Sequence, residues 1–370
     1  MTKYALPKNI DIIIIVLMKI FDLIIVGSGP SGSILSYLLR NSGLSICVVD
    51  RRYFTKNNPA FTKACGGLIA PDAQRALASL NIALPVDILT SPQIFSVKTI
   101  DLESGLNKRY QRFYINVNRE KFDAFLASLP SGSTKLYGKV LNKITYEDDL
   151  YKLFFTDGTV LYSRLLVGAD GAASVCAKQL NMLPNVRKYV CVQQIFNCND
   201  NNNFYSAIFD KSLTDYSGWT FVKDNKTYVG AAFDPKKDPH KKLDAMIQKL
   251  KDNGYCFGAP ISREGAILNR PLSLLRSPVS NGYTAALIGE AAGFVSPSSA
   301  EGFSYAIYSA IYAAQSILKY KSFKGYKTKS LSIRIKLFLK KLKIPFMYNK
   351  FLRNIVLKSG IKSIKPHDSI

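Results

Sequence analysis

The stretch Leu23-Ile24-Ile25-Val26-Gly27-Ser28-Gly29-Pro30-Ser31-Gly32 decides the fold. Four successive apolar residues suit a buried parallel strand, and a glycine turn follows at once. Ile34, Leu35, Leu38 and Leu39 then recur at helical spacing until Asn41-Ser42-Gly43 ends the pattern. Ile46-Cys47-Val48-Val49 supplies a second strand, with Asp50 at its end. Strand, glycine turn, helix, strand and acid in this order form the context in which a glycine-rich turn binds a dinucleotide. Gly27 permits the tight turn, Gly29 lets the backbone approach a pyrophosphate, and Gly32 lets helix and strand pack closely. Pro30 and Ser31 open a helix whose free N–H groups favour an anion by up to ~2 kcal/mol. Asp50, 23 residues past Gly27, is placed to accept from adenosine ribose hydroxyls, and its charge opposes a ribose 2′-phosphate there. The bland alternative, a glycine turn without a ligand, leaves the full order unexplained.

The rest of the chain limits the chemistry. With 370 residues it is long enough for two or three structural units. Its 47% hydrophobic and 21% charged residues are ordinary globular usage, which excludes a disordered chain or a rod. The only histidines are His240, in the polar stretch Lys236-Lys237-Asp238-Pro239-His240, and His367 near the carboxyl end. A zinc hydrolase or a Ser-His-Asp triad is therefore disfavoured, and catalysis leans on a cofactor. No metal site is expected. Cys47, Cys65, Cys176, Cys191, Cys198 and Cys256 lack metal-ligand spacing and read as reduced cytoplasmic thiols.

Two further segments distinguish FAD from NAD. Leu165-Leu166-Val167 runs into Gly168-Ala169-Asp170-Gly171, and Ala285-Ala286-Leu287-Ile288 runs into Gly289-Glu290-Ala291-Ala292-Gly293-Phe294, followed by Pro297 and Glu301-Gly302. Each puts a carboxylate and free amides at the carboxyl edge of a parallel sheet, where ligands sit. Alone, each is an ordinary strand-to-helix turn.

Together the three segments resemble the flavoprotein monooxygenase and geranylgeranyl reductase superfamily, in which this trio builds the FAD domain. Arg119-x-x-Phe122-Asp123-x-x-Leu126 resembles the family segment whose arginine approaches the flavin nucleotide. Lys63-Ala64-Cys65-Gly66-Gly67-Leu68 resembles the Cys-Gly-Gly segment of geranylgeranyl reductases, which faces the substrate side of the flavin. The resemblance implies FAD contacts from Gly27, Gly29, Pro30, Ser31, Gly32, Asp50 and Arg51 in the first segment, and from Lys63, Gly66, Gly67 and Arg119. It implies the same for Asp170, Gly171, Gly289, Glu290, Ala292, Gly293 and Gly302, with Glu290 where the family usually has Asp. Cys65 is the implied catalytic thiol, or a small buried apolar residue. Trp219 in Ser217-Gly218-Trp219-Thr220-Phe221-Val222 is a substrate-pocket wall or plain sheet packing. Reductases of the family usually carry Tyr-x-Trp-x-Phe-Pro here. Tyr216 stands one place off that tyrosine, which on a strand is the opposite face.

The expected fold class is α/β: a Rossmann-like FAD-binding domain, an antiparallel-sheet substrate domain and a helical carboxyl-terminal tail. The FAD domain is expected to be discontinuous (18–75, 115–178 and 265–320), the substrate domain to comprise 76–114 and 179–264, and 1–17 to be an amino-terminal extension. The apolar run Ile12 to Met18 is too short for a spanning helix of roughly 20 residues. The net charge is +24, and from Lys321 onward fourteen Lys/Arg face one acid, Asp368. Leu331, Ile335, Phe338, Leu339 and Leu342 fall on one helical face, Lys336, Lys340 and Lys343 on another, and Pro345 ends or kinks the helix. That apolar face is expected to pack on the body; the alternative is peripheral contact with an anionic membrane at its inner face, each nearby cation contributing roughly 1 kcal/mol. No nucleic-acid-binding module is recognised.

The reading is a cytoplasmic FAD-dependent oxidoreductase that reduces carbon–carbon double bonds of an apolar, isoprenoid-type lipid. Its electron donor is NAD(P)H, a ferredoxin or a flavodoxin-like protein. The alternatives are an FAD monooxygenase on the same scaffold and a flavin-bearing lipid-binding protein without turnover.

Overall fold

Leu23, Ile24 and Ile25 are fully buried because their strand is central and covered on both faces. Each such burial stabilises by about 1.5–3 kcal/mol. The structure, a computed structural model, describes residues 19–54, 65–198, 204–360 and 363–364. The chain begins β1 (Ile20–Val26), α1 (Pro30–Leu38), β2 (Ile46–Asp50), β3 (Leu68–Ile69), α2 (Pro71–Ser79), β4 (Ile94–Asp101) and β5 (Asn107–Asn116). It continues α3 (Arg119–Ser128), β6 (Thr134–Tyr137), β7 (Leu141–Glu147), β8 (Leu150–Phe155), β9 (Val160–Gly168), α4 (Val175–Gln179) and β10 (Val186–Asn197). Then come β11 (Phe204–Phe209), β12 (Gly218–Lys223), β13 (Lys226–Phe233), α5 (Pro239–Asp252), β14 (Pro260–Pro271) and β15 (Ala285–Leu287). Four helices follow: α6 (Phe303–Tyr320), α7 (Tyr326–Lys340), α8 (Ile344–Tyr348) and α9 (Lys350–Lys358).

The first sheet has the order β6-β2-β1-β9-β8-β7, with β15 also on β9. β1 is parallel to both neighbours, Leu23 pairing with Ile46 and with Leu165. Leu23 and Ile25 face one core with Ile34 and Leu35 of α1 and the alanines Ala310, Ala313 and Ala314 of α6. Ile24 and Val26 face the other, with Tyr151 and Leu153 of β8 and Ile333 and Leu337 of α7.

The second sheet has the order β14-β10-β13-β12-β11-β4-β5-β3. It is mixed, not purely antiparallel: β11 runs parallel to β4, with Ser206 opposite Lys98. Alternation along β12 and β13 sends Val229, Ala231 and Phe233 under Leu243, Met246 and Leu250 of α5. Trp219, Phe221 and Ala232 go to the opposite face.

Element membership departs from the expected segments at three places. Ala76 and Leu77 of α2, expected in the substrate domain, pack with Ala73 in the core of the first sheet, because this helix lies against α6. All of β14 pairs along β10, so residues 265–271 belong to the second sheet. β3, within 18–75, pairs with β5 of the second sheet. Residues 1–17 and Lys63 lie outside the described residues.

The tail also departs from expectation. Ile333 and Leu337 face inward, and Leu331, Ile335, Phe338, Leu339 and Leu342 are exposed. Two apolar stripes run along α7, and the less obvious one does the packing. α7 ends before Pro345, which starts α8.

Candidate functional site

Three turns converge at the carboxyl edge of the first sheet. Gly27 has a φ of +107°, and a Cβ there would overlap the carbonyl of Ala169, so the first and second turns touch. A Cβ on Gly32 would overlap Gly27 O. Gly289 lies so close to Ser31 that its Cβ would stand 2.7 Å from the hydroxyl, bringing in the third turn. Gly29 differs: among the described residues the only atom near its Cβ position is Arg52 Nη2 at 3.8 Å, so these residues leave the loop mouth open at this position. Pro30 occupies the first helical turn and removes an N–H that would lack an intrahelical partner.

Asp50 is buried, and four donors reach its carboxylate. Ser28 N–H donates to Oδ2 at 2.7 Å and Arg52 N–H to Oδ1 at 2.8 Å. Arg52 Nε and Nη2 donate at 3.2 and 3.1 Å. A carboxylate has about four acceptor sites, so a ribose hydroxyl must share or displace one of these bonds. Arg51, the expected contact, is exposed; Arg52 turns inward. Its Nη1 donates to Asp123 Oδ2 at 2.8 Å, and Arg119 Nε donates to Asp123 Oδ1 at 2.9 Å. Arg119 Nη1 reaches Cys65 Sγ at 3.1 Å. A charged chain thus runs Asp50–Arg52–Asp123–Arg119–Cys65. Burial opposes ionisation of Asp123, yet Arg119 and Arg52 outweigh it and hold the carboxyl below its usual range.

At the second turn, Asp170 caps α4 with the help of Ser174. Ser174 Oγ donates to its Oδ1 at 2.5 Å and Cys176 N–H to its Oδ2 at 3.0 Å. Burial raises the Asp170 pKa and these bonds pull against it. Among the described residues, nothing lies within 4 Å of where a Cβ on Gly171 would stand. At the third, Glu290 Oε1 accepts from Asn269 N–H of β14 at 3.1 Å. Asn269 Nδ2 also donates to Ala172 O at 3.2 Å and Glu290 O at 3.3 Å, tying the second turn to the third. Its buried Oδ1 has no partner among the described residues. Ala292 is buried, and Cβ atoms on Gly293 and Gly302 would press on Leu275 and Val295 at 3.0 Å, so these three are placed by packing.

The Cys65-Gly66-Gly67 loop is clamped from the second sheet. Lys223 Nζ donates to Gly66 O at 2.8 Å and Val117 O at 2.7 Å. Burial lowers the Lys223 pKa to about 8, although Cys65 and Asp224 favour its charge. Gly67 has a φ of +60° and a Cβ there would overlap Val117 O, which restricts the position to glycine. A Cβ on Gly66 would stand 3.3 Å from the Phe221 ring. Phe221 stacks on Tyr228 at 5.1 Å and approaches Tyr205 at 6.4 Å. Trp219, Tyr189 and Tyr216 complete this aromatic cluster, which touches Leu68 beside the Cys65 loop and Ala300 beyond the third turn. Trp219 Nε1 is buried without a partner among the described residues, held over Gly230 where a Cβ would stand 2.8 Å from it. Tyr216 is buried and donates to Ser296 O at 2.7 Å. Arg270 spreads under the Tyr216 ring at 4.2 Å and donates to Pro297 O at 3.0 Å and Asp215 O at 2.9 Å. His240 is exposed on the first turn of α5.

Arg52, Lys223, Asn269 and Arg270 were not foreseen as site residues. For Lys223 a signal existed: Trp219, Phe221 and Lys223 alternate along one strand and must share a face. Asn269 and Arg270 carry no local signal.

The FAD binding domain family matches residues 21–67. Protein CbrA of Escherichia coli O6:H1 (strain CFT073) is 38% identical over 353 residues, covering 94% of this chain and 95% of its own. Protein CbrA of Shigella sonnei (strain Ss046) is also 38% identical, with 94% and 99% covered. The chain belongs to the CbrA family. A geranylgeranyl bacteriochlorophyll reductase-like protein of Thermoplasma acidophilum shares the fold, with a TM-score of 0.76, 17% identity and 95% and 94% of the two chains covered. HpxO of Klebsiella pneumoniae, solved with FAD and uric acid, has a TM-score of 0.65 at 15% identity, with 91% and 92% covered. This CbrA-family chain has an α/β fold with an FAD binding domain. Its residues fit FAD: the loop mouth is open at Gly29, and the unpartnered Asn269 Oδ1 lies where the second and third turns meet.

Proposed function

We propose that this protein reduces a carbon–carbon double bond in an isoprenoid or similar apolar lipid. One observation supports it most: the aromatic cluster packs against Leu68, beside the Cys65 loop, and against Ala300, beyond the third turn, and we read this cluster as an apolar wall beside the FAD-binding turns. Such a wall suits an alkene chain with few polar groups.

The residues that would hold FAD are the α1 amino end at Gly29–Ser31 for the pyrophosphate, the Asp50–Arg52 pair on the adenosine side, and Arg119 with the Gly289–Glu290 turn nearer the flavin. Bound and reduced there, FAD would supply a hydride that, with a proton, would add across the double bond, and a nicotinamide cofactor or a small redox protein would return the two electrons. Lys223 and Arg119 hold the Cys65 loop and keep positive charge beside it. The aromatic side chains exclude water and orient the chain. Cys65, bonded by Arg119 and on the loop that Lys223 ties down, is the thiol proposed to face a bound substrate.

The test is anaerobic. Reduced protein is mixed with a panel of polyprenyl alcohols and diphosphates, and return of the oxidised flavin spectrum is followed. Reoxidation by unsaturated lipids and not by their saturated counterparts supports the reading. Failure across the panel, with rapid reoxidation by oxygen, contradicts it.

A further inference from the structure

The carboxyl-terminal helices present apolar residues on both sides. In α7, Ser330, Ile333 and Leu337 point into the body, and Leu331, Ile335, Phe338 and Leu339 point out, continuing to Leu342 at 67% exposure. In α9, Arg353 is buried and pairs with Asp101 at 2.8 Å and Glu103 at 2.6 Å. Phe351 and Ile355, each about 200° of helical rotation from Arg353, are 72% and 53% exposed. Phe346 of α8 is likewise exposed. A helix whose inner face is already packed has no folding reason to keep a second apolar face outside.

Charge decides what covers that face. Residues 331–358 contain eight Lys/Arg and no Asp or Glu. Arg353 is neutralised internally by Asp101 and Glu103, Lys336 pairs with Asp72 at 3.8 Å and Lys340 lies over the Tyr305 ring at 5.1 Å, while Lys343, Lys350 and Lys358 carry further positive charge along the segment from the end of α7 through α9. A second copy would bring the same cations against these and be repelled. An acidic bilayer surface offers an apolar interior for Phe338, Leu342 and Phe351 and negative headgroups for the lysines. Among the described residues no helix is long and apolar enough to cross a membrane, so contact would be with one surface.

We propose that α7, α8 and α9 dock this protein on the surface of anionic lipid bilayers. The face is joined to the site: Tyr348 of α8 donates to Ser298 O at 2.8 Å, and its ring lies 6.2 Å from that of Tyr216 in the aromatic cluster. Docking therefore holds the aromatic cluster near the lipid. The proposal does not depend on the isoprenoid reading, since it concerns binding and not turnover.

The test is co-sedimentation of the full chain with phosphatidylcholine vesicles, with and without phosphatidylglycerol, at low and high salt. The expected result is binding to phosphatidylglycerol vesicles that falls at least about ten-fold in high salt or without the anionic lipid. The triple variant Phe338→Ser/Leu342→Ser/Phe351→Ser should lose at least about ten-fold in affinity. Leu183→Ser, at an exposed leucine elsewhere, should bind as wild type. These positions lie outside the core, and an unchanged melting temperature verifies the fold. Absence of wild-type binding, binding unaffected by lipid charge, or equal binding by the triple variant overturns the proposal. So does a wild-type dimer that the triple variant dissociates, which would assign the face to a second copy.

Discussion

Arg119 Nη1 lies 3.1 Å from Cys65 Sγ, and the same guanidinium donates through Nε to Asp123 at 2.9 Å. The thiol beside the proposed substrate wall is thereby linked to Asp50 at the end of β2 by alternating charges. Loss of the middle member should be felt at both ends.

Asp123→Ala leaves two inward-facing guanidiniums without their shared carboxylate and should cost about 3–5 kcal/mol of stability. The Asp123 pKa is depressed below 3.8 in the folded protein. Its contribution is therefore full above the unfolded value and is lost as pH falls through 3.8 towards the folded pKa. Urea midpoints measured across that acid window should show a shallower pH slope for Asp123→Asn than for wild type.

Gly29 and Gly32 should separate binding from folding. Gly29→Val puts its Cβ in ordinary van der Waals contact with Arg52 Nη2, the one atom near it among the described residues, so the melting temperature should hold while FAD affinity falls at least about ten-fold. Gly32→Val drives a side chain into Gly27 O and should abolish folding. Equilibrium dialysis of FAD alongside thermal melts distinguishes the two.

Lys223 should titrate within an accessible range. Its folded pKa is about 8 against 10.5 for an ordinary lysine, so between these values the unfolded chain binds more protons and this residue makes stability rise with pH. Lys223→Met should remove that component of the slope. A neutral amine keeps two N–H donors, enough for Gly66 O and Val117 O, so the loop stays tied when the charge is lost. Turnover by wild type should therefore show an inflection near pH 8 that Lys223→Met lacks.

Arg270→Lys cannot reproduce a fork that reaches Pro297 O, Asp215 O and the Tyr189 hydroxyl. Each lost charged hydrogen bond is worth about 1.5–3 kcal/mol. The variant should melt earlier and, with Tyr216 and Tyr348 less firmly held, show a raised KM for an apolar substrate more than a lowered kcat.

The dinucleotide fold was legible because its signals are local. Leu23–Val26, the glycines and Asp50 lie within one short stretch, and each obeys a rule of strand burial or backbone clearance. The same locality located β9 and β15 and the turns after them. What escaped depends on distant strands. β11 and β4 pair in parallel although more than a hundred residues separate them, and Asn269 joins two turns only because β14 crosses behind them. Arg51 and Arg52 are adjacent and chemically equal, and which one turns inward is set by Asp123, seventy-one residues beyond Arg52. In α7 the conspicuous apolar stripe reads as the core face, but a shorter pair, Ile333 and Leu337, fits against β8 and the first sheet.

The product of a single anaerobic turnover distinguishes a double-bond reductase from a hydroxylase. Reduced protein is incubated with a polyprenyl lipid in deuterated solvent, and the recovered lipid is examined by mass spectrometry. The expected product is a lipid that has gained two hydrogens, solvent deuterium among them, as the flavin is oxidised without oxygen. A lipid unchanged until oxygen is admitted, and then recovered carrying an added oxygen atom, would contradict it and identify a hydroxylase.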